Sequence, residues 1–387
     1  MATRPVESSR ASLIVAACLC AAVMMTALAR GDAATASHAR NAEHGRFGSI
    51  GDATQQGGSS AIQSLVSSYR RGDPATAMAE FLEWDVKRVA REATLPADAA
   101  PADLAALALM HTMAAVARGT FGGGNQLPVP DRTYFPAAFS LVGTLSRRAD
   151  LATDPGLRAF CRDWYVVVVS MWCAGRNYAQ ASVVVRAGQR PFGDDPQFLL
   201  AAGSTAEALM GSFASGEGVV TSRGIVGDDR LDAEKWLRRA VSLDPGLVEA
   251  RLHLGRVLYE IDYIPQARKE LEQALADATA ARHAFAGYLA ALFLGELLER
   301  RGELDAARAA YEKAISVNPE CQAAYLALGH LLVAAGKPAE GWANARRVFG
   351  DAGKPRKPAK EPWFLYRSAQ FWQAETLLRG MTAWVRK

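Results

Sequence analysis

Between Gly302 and Glu320 the chain reads GELDAARAAYEKAISVNPE. Small residues recur at Ala307 and Ala314, Tyr311 stands between them, and Pro319 closes the run. Positions i and i+7 share one face of a helix, so the spacing predicts an amphipathic helix with a small-residue stripe and one aromatic knob. A single short helix cannot bury such a face alone. A partner precedes it: Tyr288 to Arg301 carries Leu294-Gly295 followed by Leu298. The pair recurs upstream, where Glu249 to Asp262 has Leu254-Gly255 and Leu258, followed by Ala267, Leu271 and Ala274. It recurs downstream in Ala323 to Gly336, with Tyr325, Leu328-Gly329 and Leu332. Asp195 to Leu209, with Gly203, pairs with a helix expected over Asp232 to Leu243, which carries Ala233, Leu237 and Ala240 before Pro245. Ala233 to Ala267 spans 34 residues and Ala267 to Ala307 spans 40, which predicts one linker longer by six.

An aromatic-x-x-Leu-Gly first helix, an Ala-x-x-x-large-x-x-Ala second helix and a closing Pro at this period resemble the tetratricopeptide repeat. The match is close over Val248 to Ala278 and Tyr288 to Cys321. The third unit, Gln322 to Phe349, keeps the first helix but has Gly341 and Ala345 where the second-helix small and large residues belong. The motif is specific over about residues 230–345. The physics agrees with the resemblance. Gly255, Gly295 and Gly329 allow close approach of the second helix, Leu271 and Tyr311 fill the space between helices, and Pro245 and Pro319 stop the second helix. The resemblance implies an all-α superhelix, a solenoid of helical hairpins whose first helices line a concave groove. On that geometry the groove residues are Arg256, Tyr259, Glu260, Leu292, Glu296, Glu299, Arg300, Leu326 and His330. Some repeats of this family clamp a C-terminal carboxylate with Lys, Asn and Arg. Here Leu252, Arg256, Phe293, Ala323 and Ala327 stand in those places, so the clamp is not formed.

The array is expected to extend backward to residue 161 as degenerate units, giving about five hairpins over 161–349. Val166 to Val169 favours a strand on propensity alone. Yet Tyr165 and Trp172 fit a first helix, and Tyr178, Ala181, Val185 and Gly188 fit the turn and second helix, so a helix is expected. The long insertion Gly211 to Asp229 is read as a loop within a hairpin. Residues 59–160 are helical by pattern but do not align with the repeat. After the array comes a basic, Pro-rich linker, 350–362. Residues 363–387 follow, with Trp363, Tyr366, Phe371, Trp372, Leu377, Leu378, Met381 and Trp384 at helical spacing. They are expected to form one final helix that caps the open face of the last repeat.

The first 29 residues read as a targeting segment. Arg4 and Arg10 precede an apolar run ending in Ala27-Leu28-Ala29, an A-x-A cleavage pattern, so export to the periplasm or outside the cell is expected. An uncleaved anchor, or lipidation at Cys18 within Val15 to Cys18, are the two membrane-linked variants. Residues 30–58, rich in Gly, Ser, Ala and Gln, read as a flexible tether.

Composition sharpens this picture mainly by exclusion. The 387 residues carry 44 basic and 40 acidic side chains, which gives no dense basic face for nucleic acid. Of five Cys, two lie in the targeting segment. Cys161, Cys173 and Cys321 form no CxxC pattern and read as buried small apolar residues. The six His include no HExxH pair, and there is no Gly-x-Ser-x-Gly elbow. Gly119 to Gln126 lacks the Lys-Ser/Thr of a phosphate loop. Glu80, Glu83 and Asp85 could recruit acid–base chemistry, and exported helical superhelices include lytic transglycosylases. The Glu-Ser pair of that family occurs here only as Glu7-Ser8, inside the targeting segment. No catalytic residue, metal or cofactor is therefore expected. The expected function is a scaffold or adaptor that binds a peptide or partner helix in its groove. A peptidoglycan-related enzyme or its regulatory subunit, and a self-assembling envelope protein, are the alternatives.

Overall fold

A computed structural model describes residues 53–83, 95, 99–117, 135–175, 177–214, 228–349, 361–367 and 374–387. The targeting segment, most of the tether, the greater part of the 211–229 insertion and the 350–360 stretch lie outside the described residues. The described residues are helical throughout, without a strand. They divide into two compact units. One holds the described residues up to Leu157 together with Thr382–Lys387, and the other holds Arg158–Met381.

In the first unit, α1 (Ala53–Arg71) and α2 (Pro74–Glu83) pack with α3 (Pro101–Ala117), which pairs with α4 (Phe135–Leu145). Helix α1 corrects the expected tether boundary at residue 58, because the helix already begins at Ala53. Downstream, Ile62, Leu65, Val66 and Tyr69 form a buried stripe at helical spacing that anchors the helix, which runs back through Gly57-Gly58-Ser59-Ser60 despite their poor helix propensity. Asp73 starts α2 by accepting from the Ala75 N–H at 3.0 Å. Arg70 ties the unit together: it pairs with Asp103 at 2.5 Å and donates through Nε to the Val385 carbonyl at 2.8 Å.

The second unit is the helical-hairpin array. It begins in α5 (Pro155–Ala174) and α6 (Tyr178–Phe192). The Val166–Val169 run is helical and buried on every side, so tertiary packing overrides its strand propensity. Then come the pairs α7 (Pro196–Ala214) with α8 (Asp228–Leu243), α9 (Val248–Glu260) with α10 (Ile264–Ala280), α11 (Ala284–Arg300) with α12 (Leu304–Val317), and α13 (Ala323–Ala334) with α14 (Pro338–Phe349). This is the all-α, tetratricopeptide-like solenoid that the pattern implies.

The six extra residues are not in a linker. Helices α10 and α11 are each 17 residues long against 13 for α9, and only residues 281–283 separate them. No Pro stops α10 where Pro245 and Pro319 stop α8 and α12, so the Ala-rich sequence runs on and ends at Arg282, whose φ is 53°. Two observations fix the hairpin register. A Cβ placed on Gly295 would lie 2.4 Å from the Tyr311 ring. In the last hairpin, where the large second-helix residue is missing, a Cβ on Gly329 would instead meet the Gly341 carbonyl oxygen at 2.9 Å. The two backbones have closed the gap themselves.

Residues 363–387 do not form one helix. They are divided between α15 (Pro362–Arg367) and α16 (Ala374–Val385). Nor does α15 cap the last repeat's open face: it packs on α11, the first helix of the preceding hairpin. Trp342 and Val333 of the last hairpin remain 61% and 43% exposed. The reason is chemical fit. The α15 aromatics meet the His253 and Phe293 rings and the Glu207 carboxylate on earlier first helices.

Candidate functional site

The first helices α7, α9, α11 and α13 contact one another in sequence order, more closely than the second helices do. Closer spacing of one layer curves the stack toward it, so the first helices make the inner face. Arg256, Tyr259 and Glu260 of α9 and Glu296 and Arg300 of α11 form one connected set of contacts on these helices, and Glu299 of α11 meets His330 of α13.

Arg256 is the centre. Its guanidinium is 2.6 Å from Glu296 and 2.7 Å from Glu260. Its Cζ lies 4.9 Å from the centroids of both the Tyr259 and Phe293 rings. Burial works against its charge, but Glu296 and Glu260 more than offset that and raise its pKa. Arg300 covers the outer side of Tyr259, 5.2 Å from the ring centroid, and reaches Asp262 at 3.2 Å. Burial, with Glu296 adding to it, raises the Tyr259 phenol. Glu299 accepts from the Tyr311 hydroxyl at 2.7 Å and meets His330 Nδ1 at 3.0 Å, which ties three hairpin elements to one carboxylate. Leu326 is 42% exposed at the α13 end. Leu292, expected in the groove, is 7% exposed and belongs to the core cluster instead. The long helix α11 is buried nearly all round, which leaves that position no open side.

Part of this face is already covered by the chain's own residues Glu361 to Tyr366. Tyr366 stacks on His253 with ring centroids 4.5 Å apart and edges onto Phe293 at 4.9 Å. Its hydroxyl bonds the Glu207 carboxylate, whose other oxygen meets His253 Nδ1 at 2.6 Å. Burial and Glu207 push the Tyr366 phenol well up, so it stays a donor. Trp363 stacks on Tyr366 and meets Phe293 edge-on at 5.5 Å. At the other end, Glu361 receives the Tyr288 hydroxyl at 2.9 Å and the Gln322 N–H at 2.5 Å. Gln322 is the N-cap position of α13 and makes no cap bond with its own side chain. Glu361 therefore caps that helix from 39 residues away, where the helix dipole favours a carboxylate. Tyr288 assists by accepting from the Ala324 N–H at 3.2 Å.

Sequence reasoning placed Arg256, Tyr259, Glu260, Glu296, Glu299 and Arg300 along α9 and α11. It missed Glu207, His253 and Tyr288, and read Phe293 only as a failed clamp position. The one available signal was the acid-Pro-Trp-x-x-Tyr spacing of 361–366, where Pro at the first helical position starts a new element.

A broad depression lies on the opposite, second-helix layer, lined mainly by α6 and α8. It is open, has a volume of about 890 Å³, and is lined by Arg186, Arg190, Lys235, Trp236, Arg238 and Arg239. Glu234 and Asp194 pair with two of these cations at 2.7 and 2.8 Å. Its ion pairs are solvated, and it lacks the buried polar pairings of the inner face. Cys161, Cys173 and Cys321 are buried and unbridged, and burial pushes the Cys173 thiol up to about 12. Among the described residues no cluster of His, Cys, Asp and Glu has the arrangement of a metal site, and no helix is long and apolar enough to cross a membrane.

A family model described as the tetratricopeptide repeat matches residues 289–331, which run from α11 through α12 into α13. No curated protein matches the chain by sequence. Among solved structures, one titled as MamA shares 23% identity, covers 50% of this chain and 92% of its own, and has a TM-score of 0.35. MamA residues 41 to the end from Desulfovibrio magneticus RS-1 gives 21% identity, coverage of 47% and 90%, and a TM-score of 0.35. PilW, titled a widely conserved type IV pilus biogenesis factor, gives 17% identity, coverage of 58% and 90%, and a TM-score of 0.40. Likeness at that level identifies neither a partner nor an activity.

Proposed function

We propose that this chain, a tetratricopeptide-repeat protein, is a non-catalytic interaction scaffold whose inner face receives an extended segment or short helix of a partner protein. The observation that supports it is the chemistry of that face. Stacked rings, a buried guanidinium and carboxylates placed to accept hydrogen bonds are the components that read a peptide. The face also accommodates a short helical segment, since Glu361 to Tyr366 lies there. Self-assembly through the aromatic C-terminus loses part of its basis, because Trp363 and Tyr366 are turned onto the repeats.

We further propose export, on the strength of the first 29 residues. N-terminal sequencing of the protein recovered outside the cytoplasm tests this, with a start at Arg30 as the expected result and an intact Met1 start as the contrary one.

The scaffold reading is tested by capture from cell-envelope extract with residues 30–387 as bait. A matched bait carries Arg256→Ala, Tyr259→Ala and Arg300→Ala, with helix content checked by circular dichroism. A protein held by the first bait and lost by the second supports the inner face as the site. Capture of the same proteins by both, with both baits folded, places the site elsewhere.

A further inference from the structure

The segment on the inner face differs from core packing in one respect. Between α9 and α10 the fully buried side chains are apolar, as at Leu254, Leu258 and Leu271, and the polar contacts, Arg251 with Glu270 and Asp277, are only partly buried. Here the contacts that fix register are polar and directional: a carboxylate on a backbone N–H and a tyrosine hydroxyl, and a second tyrosine hydroxyl on a carboxylate. Glu361 and Tyr366 are 5% and 6% exposed, and Trp363 lies between them with its ring on Phe293. These are the features of a bound peptide read by a site. Helix α15 is only six residues long and does not sustain itself in water, so the contacts with the repeats hold it. It is joined to the array through 350–360, GDAGKPRKPAK, a stretch without a large apolar side chain that could anchor it.

We infer that Glu361–Tyr366 is a built-in competitor for the inner face, and that its chemistry is the signature of the partner segment that displaces it. The partner segment carries a carboxylate, an aromatic ring two residues later and a tyrosine five residues later. The carboxylate reads the α13 N-terminus and Tyr288. The ring lies on Phe293. The tyrosine stacks on His253 and donates to Glu207. A tethered competitor raises the local concentration of its own motif, so a partner with the same motif binds the closed chain more weakly than the opened one. The inference rests on the interaction-scaffold reading and adds the occupant and its gating.

The test uses the mature chain, residues 30–387, and a fluorescent peptide of residues 358–368. In an opened chain carrying Glu361→Ala, Trp363→Ala and Tyr366→Ala, the peptide should bind at least about tenfold tighter than to the wild type by anisotropy. Adding Tyr288→Phe and Phe293→Ala to the opened chain should remove that gain. If the triple substitution unfolds the chain, the near-isosteric pair Glu361→Gln and Tyr366→Phe replaces it, with an expected gain of at least about threefold from the lost polar contacts. Equal affinity for closed and opened chains, or no binding to either while helix content is intact, overturns the inference. So does a wild-type chain that dimerises in the ultracentrifuge while the opened chain stays monomeric, which assigns the segment to a second copy. Failure of the scaffold reading looks different: the peptide distinguishes closed from opened chain, yet neither captures any envelope protein.

Discussion

A methyl group at position 295 has no room. The Tyr311 ring sits where it would go, and the ring cannot swing aside because its hydroxyl is held by Glu299 at 2.7 Å. Gly295→Ala should therefore destabilise the chain by about 1–3 kcal/mol, even though alanine is the better helix former. Urea denaturation measures this, and the same change in a Tyr311→Ala background should cost less, because the clash is gone. A stabilised Gly295→Ala chain would contradict the packing. His111 is a second residue-scale case. Burial against Phe81, with ring centroids 5.0 Å apart, lowers its pKa to about 4. Above about pH 6.5 both folded and unfolded imidazoles are neutral. As pH falls below that value only the unfolded chain takes the proton, so stability declines until the folded value near 4 is passed. The loss is on the order of 3 kcal/mol, and His111→Gln should flatten that part of the stability–pH curve. At this scale the sequence was most legible where spacing is local. Ala307, Tyr311 and Ala314 announce a packed helix face by themselves. The Tyr366–Glu207 contact spans 159 residues, and no periodicity carries a pairing of that separation.

At the scale of elements, helices were legible because their apolar stripes repeat every three or four residues. Two element readings failed for reasons of context. The six residues assigned to a linker lengthen α10 and α11, since extending an Ala-rich helix needs only the absence of a stop. The C-terminal stripe read as one helix, but a stripe gives no sign of which surface it will cover, and Trp363 and Tyr366 find theirs on α9 and α11. The Glu361 cap on α13 makes this contact measurable. Glu361→Gln should cost about 0.5–2 kcal/mol, the range for losing a helix cap. The Gln322 and Ala324 amides should exchange faster, by about tenfold for each 1.4 kcal/mol lost locally. Unchanged exchange at both amides would show that α15 is not held there in solution.

For the whole molecule, the repeats produce a layer of first helices with a mixed ring-and-charge face, and the fold leaves the partner open. The repeat class was legible because one hairpin's stripe recurs at a near-constant period. The self-covering of the inner face was not, because it depends on where the chain returns after residue 350. The account turns on that face, and one measurement addresses it directly: hydrogen–deuterium exchange of residues 30–387 with and without the partner recovered from the envelope capture. The account predicts slowed exchange along the inner sides of α9, α11 and α13, with faster exchange at 361–367 as the chain's own segment is displaced. Protection confined to the second-helix layer, around Arg186 and Arg239, with 361–367 unchanged, would contradict it.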